Sequence, residues 1–276
     1  MTIFSALKTT KTLKVIGWTS GIAIVLYLLA LWSFYRFQDS VIFQAKSLPE
    51  GFAFKFQNFE EHFIKTDDGE SLNALLFRTS ASPKGLIIYF HGNADNLDRW
   101  GQYAVDFTQL GYDILMMDYR GYGKSTGTPS ESDCYKDAQT VLTWAKDNIP
   151  FTRLVIYGRS LGTAVASNLA TVANPHLLIL ETPFDELKGT FYAPIEPLLY
   201  FFPLRHKFSN KSFLPEVQCK KVIIHGTEDW VVPLSSALKL KPLLKEGDQF
   251  VIIEGGGHRD LRDFESFHKA LADVLD

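Results

Sequence analysis

The residue of this chain best placed to act as a nucleophile is a serine held between glycines, in Gly158-Arg159-Ser160-Leu161-Gly162. It follows a run of strand character, Leu154 to Tyr157, and opens a helix of small residues, Thr163-Ala-Val-Ala-Ser-Asn-Leu-Ala170. A tight strand-to-helix turn projects its serine away from the sheet and brings backbones together, so side chains at 158 and 162 would collide. The first turn of the helix also favours negative charge developing beside Ser160. A serine hydroxyl is a weak nucleophile and needs a base. His258, in Gly255-Gly-Gly-His-Arg-Asp260, offers an imidazole on a glycine-rich loop between the last expected strand and the last helix. Asp229, after Val222-Ile-Ile-His225, is the carboxylate expected to orient that imidazole. Glu228 beside it, and Asp185 and Glu186 after the preceding strand, are alternative acids. Serine, then acid, then histidine is one of the chain orders in which such triads occur.

Charge developing on a substrate oxygen needs fixed donors. The backbone N–H of Leu161 is one candidate. The backbone N–H of Asn93, in His91-Gly-Asn-Ala-Asp-Asn96 after an early strand, is the second. His91 and His225, each before a glycine at a strand end, read as structural. His62, His176, His206 and His268 read as surface or packing residues. The chemistry expected of the set is acyl transfer from an ester, thioester or amide. A competing reading is a phosphate-binding loop, because Asp118-Tyr-Arg-Gly-Tyr-Gly-Lys-Ser125 ends in Gly-Lys-Ser. That motif needs glycine at 118, where an aspartate would repel phosphate, and Thr126-Gly-Thr-Pro129 delays any following helix. A catalytically silent scaffold that binds partners at a membrane is the other alternative.

The elements that must position these groups follow from patterning. Apolar runs predict strands over Asn73 to Arg78, Leu86 to Phe90, Ile114 to Asp118, Leu154 to Tyr157, Leu177 to Leu180, Val222 to His225 and Phe250 to Ile253. Most are continuously apolar, as strands covered on both faces are. Helices are predicted near 97–109, 131–148, 160–173, 235–245 and 260–275. The alternation argues an α/β fold with a mainly parallel central sheet and helices on both faces. The turn at Asp67-Asp68-Gly69 is short enough for the first strands, which it separates, to pair antiparallel. Residues 184–215 are aromatic and proline-interrupted, and read as a short cap insertion in a catalytic domain spanning 59–276.

Residues 1–14 carry Lys8, Lys11 and Lys14, and 15–35 contain no charge at all. Twenty-one helical residues span about 30 Å, the thickness of a hydrocarbon core. The run is apolar all round and ends in aromatic residues, so 15–35 is expected to be an uncleaved transmembrane anchor and 36–58 a connector. The lysine excess before the run places the N-terminus in the cytoplasm and the catalytic domain on the other face. Net charge is −3, which argues against nucleic acid as a partner. Cys134 and Cys219 are too few for a disulfide framework.

Taken together, His91-Gly-Asn-Ala94, Asp118 to Ser125, Pro129-Ser-Glu131, Gly158 to Gly162, Glu181-Thr-Pro-Phe184, His225-Gly-Thr-Glu-Asp229 with Val232-Pro233, and Gly257-His258 resemble the Bem46-like branch of the α/β-hydrolases, close to the serine aminopeptidase-like domain. The resemblance covers residues 60 to 276. It implies the α/β-hydrolase fold, a triad of Ser160, Asp229 and His258, and no metal or organic cofactor. Many proteins of this branch carry one N-terminal membrane helix. With the anchor and the aromatic insertion, it points to an apolar or lipid-like ester substrate, and to the inner membrane of a bacterium. Two positions depart from the pattern: Asp95 and Thr163 stand where the family commonly has glycine.

Overall fold

The structure, a computed structural model, describes residues 3–190 and 204–276, with side chains from Thr12 onward. The aromatic stretch 191–203, the middle of the expected insertion, lies outside the described residues.

Eight strands form the central sheet: β2 Phe59–Lys65, β3 Ser71–Phe77, β4 Leu86–Phe90, β6 Asp113–Met117, β7 Leu154–Arg159, β8 Leu177–Glu181, β9 Lys220–Gly226 and β10 Gln249–Ile253. Their order is β10-β9-β8-β7-β4-β6-β3-β2. Only β2–β3 and β3–β6 pair antiparallel; every other neighbour is parallel. Two further strands, β1 Gln44–Ala45 and β5 Ala94–Asp95, make a separate parallel pair. The Asp67-Asp68-Gly69 turn closes the β2–β3 hairpin, with Gly69 N–H donating to Thr66 O at 3.0 Å.

Strands β4, β6, β7 and β8 are buried at every position because helices cover both faces. On one face α4 (Glu131–Asn148) and α5 (Leu161–Ala173) pack Val141, Ala145, Val165 and Leu169 against Ile88, Leu115 and Ile156. On the other, α6 (Glu265–Leu275) and the segment 97–108 bring Phe107, Phe267 and Leu271 against Tyr89, Tyr157 and Ile179. The outer edge, β2, carries Glu60, Glu61, His62 and Lys65, charges that discourage pairing with another chain.

Helix boundaries differ from expectation where the local chemistry breaks a helix. The stretch 97–109 divides into α2 (Leu97–Trp100), a 3-10 turn Gly101–Ala104 and α3 (Val105–Thr108). Gly101 weakens the middle, and a Cβ there would lie 2.5 Å from the Phe56 ring. The stretch 235–245 resolves into a short helix Leu234–Leu238 and a 3-10 turn Lys241–Leu243 containing Pro242. The last helix starts at Glu265 after a 3-10 turn, Leu261–Asp263.

The N-terminal helix, α1 (Ile3–Ile42), contains the whole expected span and runs on to Ile42, seven residues into the expected connector. From Thr12 to Ile42 it is long and apolar enough to cross a membrane, and no residue of its apolar window is buried. Trp18, Leu26 and Trp32 are each more than half exposed. Such a surface is unstable in water and stable in hydrocarbon. Both cysteines are free.

Candidate active site

The sheet order reverses around β4, which lies between β6 and β7 although β6 follows it in sequence. Such a switch point opens a crevice at the carboxyl ends of the strands, where α/β proteins hold ligands. Ser160 follows β7 there, and His91 to Asn93 follow β4.

Ser160 has φ 54° and ψ −118°, a strained conformation for a side-chain-bearing residue. It is held by Ser160 N–H donating to Glu181 O at 2.9 Å, and by Thr163, whose N–H and hydroxyl donate to Ser160 O at 3.0 and 2.6 Å. Thr163 Oγ1 in turn accepts from Asn210 Nδ2 at 2.9 Å, so the side chain that departs from the family pattern fastens the turn. The glycines are sterically required. A Cβ at 158 would lie 2.4 Å from Gly162 O, and one at 162 would lie 2.1 Å from Phe90 O.

His258 reaches this serine from the opposite side of the chain. Its Nε2 lies 3.1 Å from Ser160 Oγ, and its Nδ1 lies 2.8 Å from Asp229 Oδ2. Asp229 Oδ1 accepts the N–H groups of Val231 at 2.9 Å and Val232 at 2.7 Å, which fixes the carboxylate plane. The Asp229 side chain is fully buried, whereas the imidazole is 14% exposed. Gly226 lets the two loops meet, since a Cβ there would lie 2.0 Å from Gly256 O. The alternative acids lie elsewhere. Asp185 Oδ1 accepts from Ser236 Oγ at 2.6 Å, its other oxygen lies 3.2 Å from Lys239 Nζ, and Glu186 bridges to Ser209.

The two expected oxyanion donors lie on the segments that flank Ser160. Leu161 is the first residue of α5, a position whose N–H has no intrahelical acceptor. A Cβ on Gly92 would lie 3.5 Å from Ser160 Cβ, so the 91–93 loop passes against the serine. Among the described residues no acceptor is paired with the Asn93 N–H. Asp95 has φ 71°, a conformation that suits glycine. Burial pushes its pKa up, but Lys46 and Arg99 outweigh that and hold it below the usual carboxylate range.

His91 is buried and structural: Nδ1 meets Gly92 O at 2.6 Å, and Nε2 lies 3.3 Å from Asp118. Burial raises the Asp118 pKa, with His91 opposing. The Gly-Lys-Ser end of the 118–125 loop is consumed internally. Lys124 bonds the Glu61 carboxylate at 2.9 Å, and Ser125 Oγ donates to Asp118 O and accepts from Asn73 N–H, each at 2.8 Å.

Three groups escaped the sequence reading. Arg159, 3% exposed, donates to His258 O at 3.0 Å and lies 3.2 Å from Glu181 Oε1. Tyr157 OH donates to Glu181 Oε2 at 2.6 Å. The Arg159 guanidinium also sits over the Trp100 and Tyr103 rings, 5.4 and 4.7 Å from their centroids. His206, read as a surface or packing residue, lies 2.9 Å from Asp39. The residues after α1 also touch the Asn93 loop.

A family model described as serine aminopeptidase, S33, matches residues 81–211. An uncharacterized Mycobacterium tuberculosis protein is 31% identical over 202 residues, covering 71% of each chain. Lysophosphatidylserine lipase ABHD12 of Macaca fascicularis is 32% identical over 214 residues, covering 69% of this chain and 51% of that one. The chain belongs to the Bem46-like α/β-hydrolases. As a Bem46-like protein it spans about half the length of the lysophosphatidylserine lipases it matches. Solved structures agree on the fold. The Pyrococcus furiosus esterase Pf2001 superposes with a TM-score of 0.66 at 18% identity, over 85% of this chain and 97% of that one. A monoacylglycerol lipase from Paleococcus ferrophilus gives 0.57 at 17% identity, over 74% and 98%.

Proposed function

We propose that this Bem46-like protein is a membrane-anchored serine hydrolase that cleaves an ester or thioester of an apolar, lipid-like substrate through an acyl-enzyme. The observation that carries the reading is the unbroken chain from the Ser160 hydroxyl through the His258 imidazole to the Asp229 carboxylate, with hydrogen-bonding distances of 3.1 and 2.8 Å. The Asp229 carboxylate accepts a hydrogen bond from Nδ1–H, which keeps the proton on Nδ1 and leaves Nε2 unprotonated toward Ser160. His258 takes the serine proton as Ser160 attacks the carbonyl. The amides of Leu161 and Asn93 stabilise the oxyanion. His258 then protonates the leaving group, and water attacking the acyl-enzyme regenerates the hydroxyl. No step calls on a metal or an organic cofactor.

The names of the relatives support the substrate class: a lysophosphatidylserine lipase and an esterase both cleave acyl bonds. An apolar helix that holds the domain at a bilayer also favours a substrate that resides there. The description of the matching family supports a second reading, cleavage of an amide at a peptide N-terminus, by the same machinery.

Full-length protein assayed on p-nitrophenyl esters of graded chain length, a lysophospholipid and an aminoacyl naphthylamide separates these readings. Turnover of the esters and lysophospholipid is expected. Turnover of the naphthylamide alone would establish the amidase instead. Ser160→Ala and His258→Ala should each lower kcat on the order of a million-fold, and Asp229→Asn about ten-thousand-fold. Unchanged turnover in Ser160→Ala would sink the proposal.

A further inference from the structure

The end of α1 is laced onto the loop that carries Asn93. Gln38 and Ile42 are buried, although they lie just beyond the apolar span. Gln38 Oε1 accepts the Arg205 N–H at 2.7 Å. Asp39 lies 3.1 Å from the Arg205 guanidinium and 2.9 Å from His206 Nε2. His206 Nδ1 accepts the Glu131 N–H at 3.3 Å, which places the ring proton on Nε2, facing Asp39. The helix end is thereby clamped to the segment 205–206 and, through His206, to the start of α4.

From this clamp the chain runs directly to the loop after β4. Asn93 Nδ2 donates to Ile42 O at 3.0 Å, and Gln44 N–H donates to Asn93 O at 2.9 Å. β1 and β5 then pair, and the Lys46 ammonium meets Asp95. Lys46 O accepts from Asn96 Nδ2 and from Gly123 N–H, each at 2.9 Å. Tyr122 OH donates to Asn93 O at 2.7 Å from the far side. The side-chain amide and backbone carbonyl of Asn93 are therefore both engaged by residues 42–44, while its N–H has no acceptor among the described residues.

We propose that residues 42–46 are a positioning strap that aims the Asn93 N–H, so that the seating of the membrane helix sets the geometry of the oxyanion site. The inference rests on the serine-hydrolase reading. An oxyanion donor works only within hydrogen-bond reach of where the charge develops, and displacement by about 1 Å can cost on the order of a hundredfold in rate. Because the donor acts mainly in the transition state, loss of aim lowers kcat and leaves KM.

The test uses full-length protein in lipid nanodiscs with the best ester substrate. Asn93→Ala removes the side-chain donor and keeps the backbone N–H. Gln44→Pro removes the N–H that holds Asn93 O. Asp39→Ala opens the clamp, and Asp39→Asn retains an acceptor. Expected are kcat losses of roughly tenfold or more for Asn93→Ala and Gln44→Pro, with KM within about twofold and melting temperature near wild type. Asp39→Ala should lose about threefold, and Asp39→Asn should recover most of it. Wild-type kcat in both Asn93→Ala and Asp39→Ala, or losses that track raised KM or lowered melting temperature, would overturn the strap. If Gln44→Pro does not fold, Asn93→Ala and the Asp39 pair decide. Ser160→Ala run alongside separates the two claims. Retained turnover there overturns the hydrolase reading, whereas its loss with unaffected strap variants overturns the strap alone.

Discussion

Four residues below Asp229 lies a second histidine that does not touch the serine. His225 is fully buried, its Nδ1 lies 2.9 Å from Gly226 O, and its Nε2 lies 3.8 Å from Asp229. Burial lowers its pKa below the ordinary 6.5, with the Gly226 carbonyl and Asp229 opposing. The neutral ring donates from Nδ1 to that carbonyl. In the unfolded chain His225 takes up a proton near pH 6.5, whereas in the folded protein it resists until a lower pH. The unfolded state therefore binds more protons in that window. This contribution to stability is fully present above pH 6.5 and is lost as the pH falls below it, by about 1.4 kcal/mol per pH unit for one proton. Urea-denaturation midpoints of wild type and His225→Asn, taken from pH 7.5 down to about 5.5, check this around the usual histidine range. The wild-type midpoint should fall more steeply, and parallel curves would refute the assignment.

At the scale of elements, the loops that carry the candidate site are held from beneath by a buried ion pair. Arg159 of β7 pairs with Glu181 of β8 and donates directly to His258 O, and Tyr157 completes the carboxylate's coordination. A buried pair contributes little net stability, but removing one partner strands the other at a cost of about 3–5 kcal/mol. Arg159→Met should therefore lower the melting temperature and also loosen His258. Arg159→Lys keeps the charge but has no planar fork to serve Glu181 and His258 O together. For Arg159→Lys, kcat should fall by roughly tenfold or more while most stability is kept. Unchanged kcat would make Arg159 a packing residue alone.

The legibility of the site in the sequence divides along the same line. Ser160, Gly158 and Gly162 could be read because a strand, a tight turn and a helix are contiguous there. The sheet could be read because β4, β6, β7 and β8 are continuous apolar runs. The antiparallel hairpin was legible from its turn, although β2 is interrupted by Glu60, Glu61 and His62 and gives no such run. Arg159 and Glu181 carry no local signal of partnership, since their contacts join strands and loops far apart in sequence. Gln38, Asp39 and the segment 42–46 were hidden for a different reason. A connector between an anchor and a domain has no periodicity of its own, and its carbonyls at Ile42 and Lys46 accept from side-chain amides about 50 residues further on.

At the scale of the whole molecule, α1 dictates where the protein can exist. Forty residues in one helix extend about 60 Å, twice the thickness of a hydrocarbon core. The span 15–35 accounts for roughly half of that length, and the final turn is committed to the domain by Gln38, Asp39 and Ile42. With 15–35 as the anchor we propose, the domain would be seated close to the membrane surface, its Asn93 loop tied to the end of the same helix. By the positive-inside rule, three lysines before the span, against Arg36 and Lys46 soon after it, predict a cytoplasmic N-terminus. In intact bacterial spheroplasts, added protease should therefore degrade the hydrolase domain while a tag on residues 1–14 stays protected. Replacing Lys8, Lys11 and Lys14 with glutamine should weaken this orientation bias and raise the fraction of domains that resist the protease. A domain protected in wild-type spheroplasts and degraded only after lysis would reverse the topology and place the substrate on the cytoplasmic leaflet.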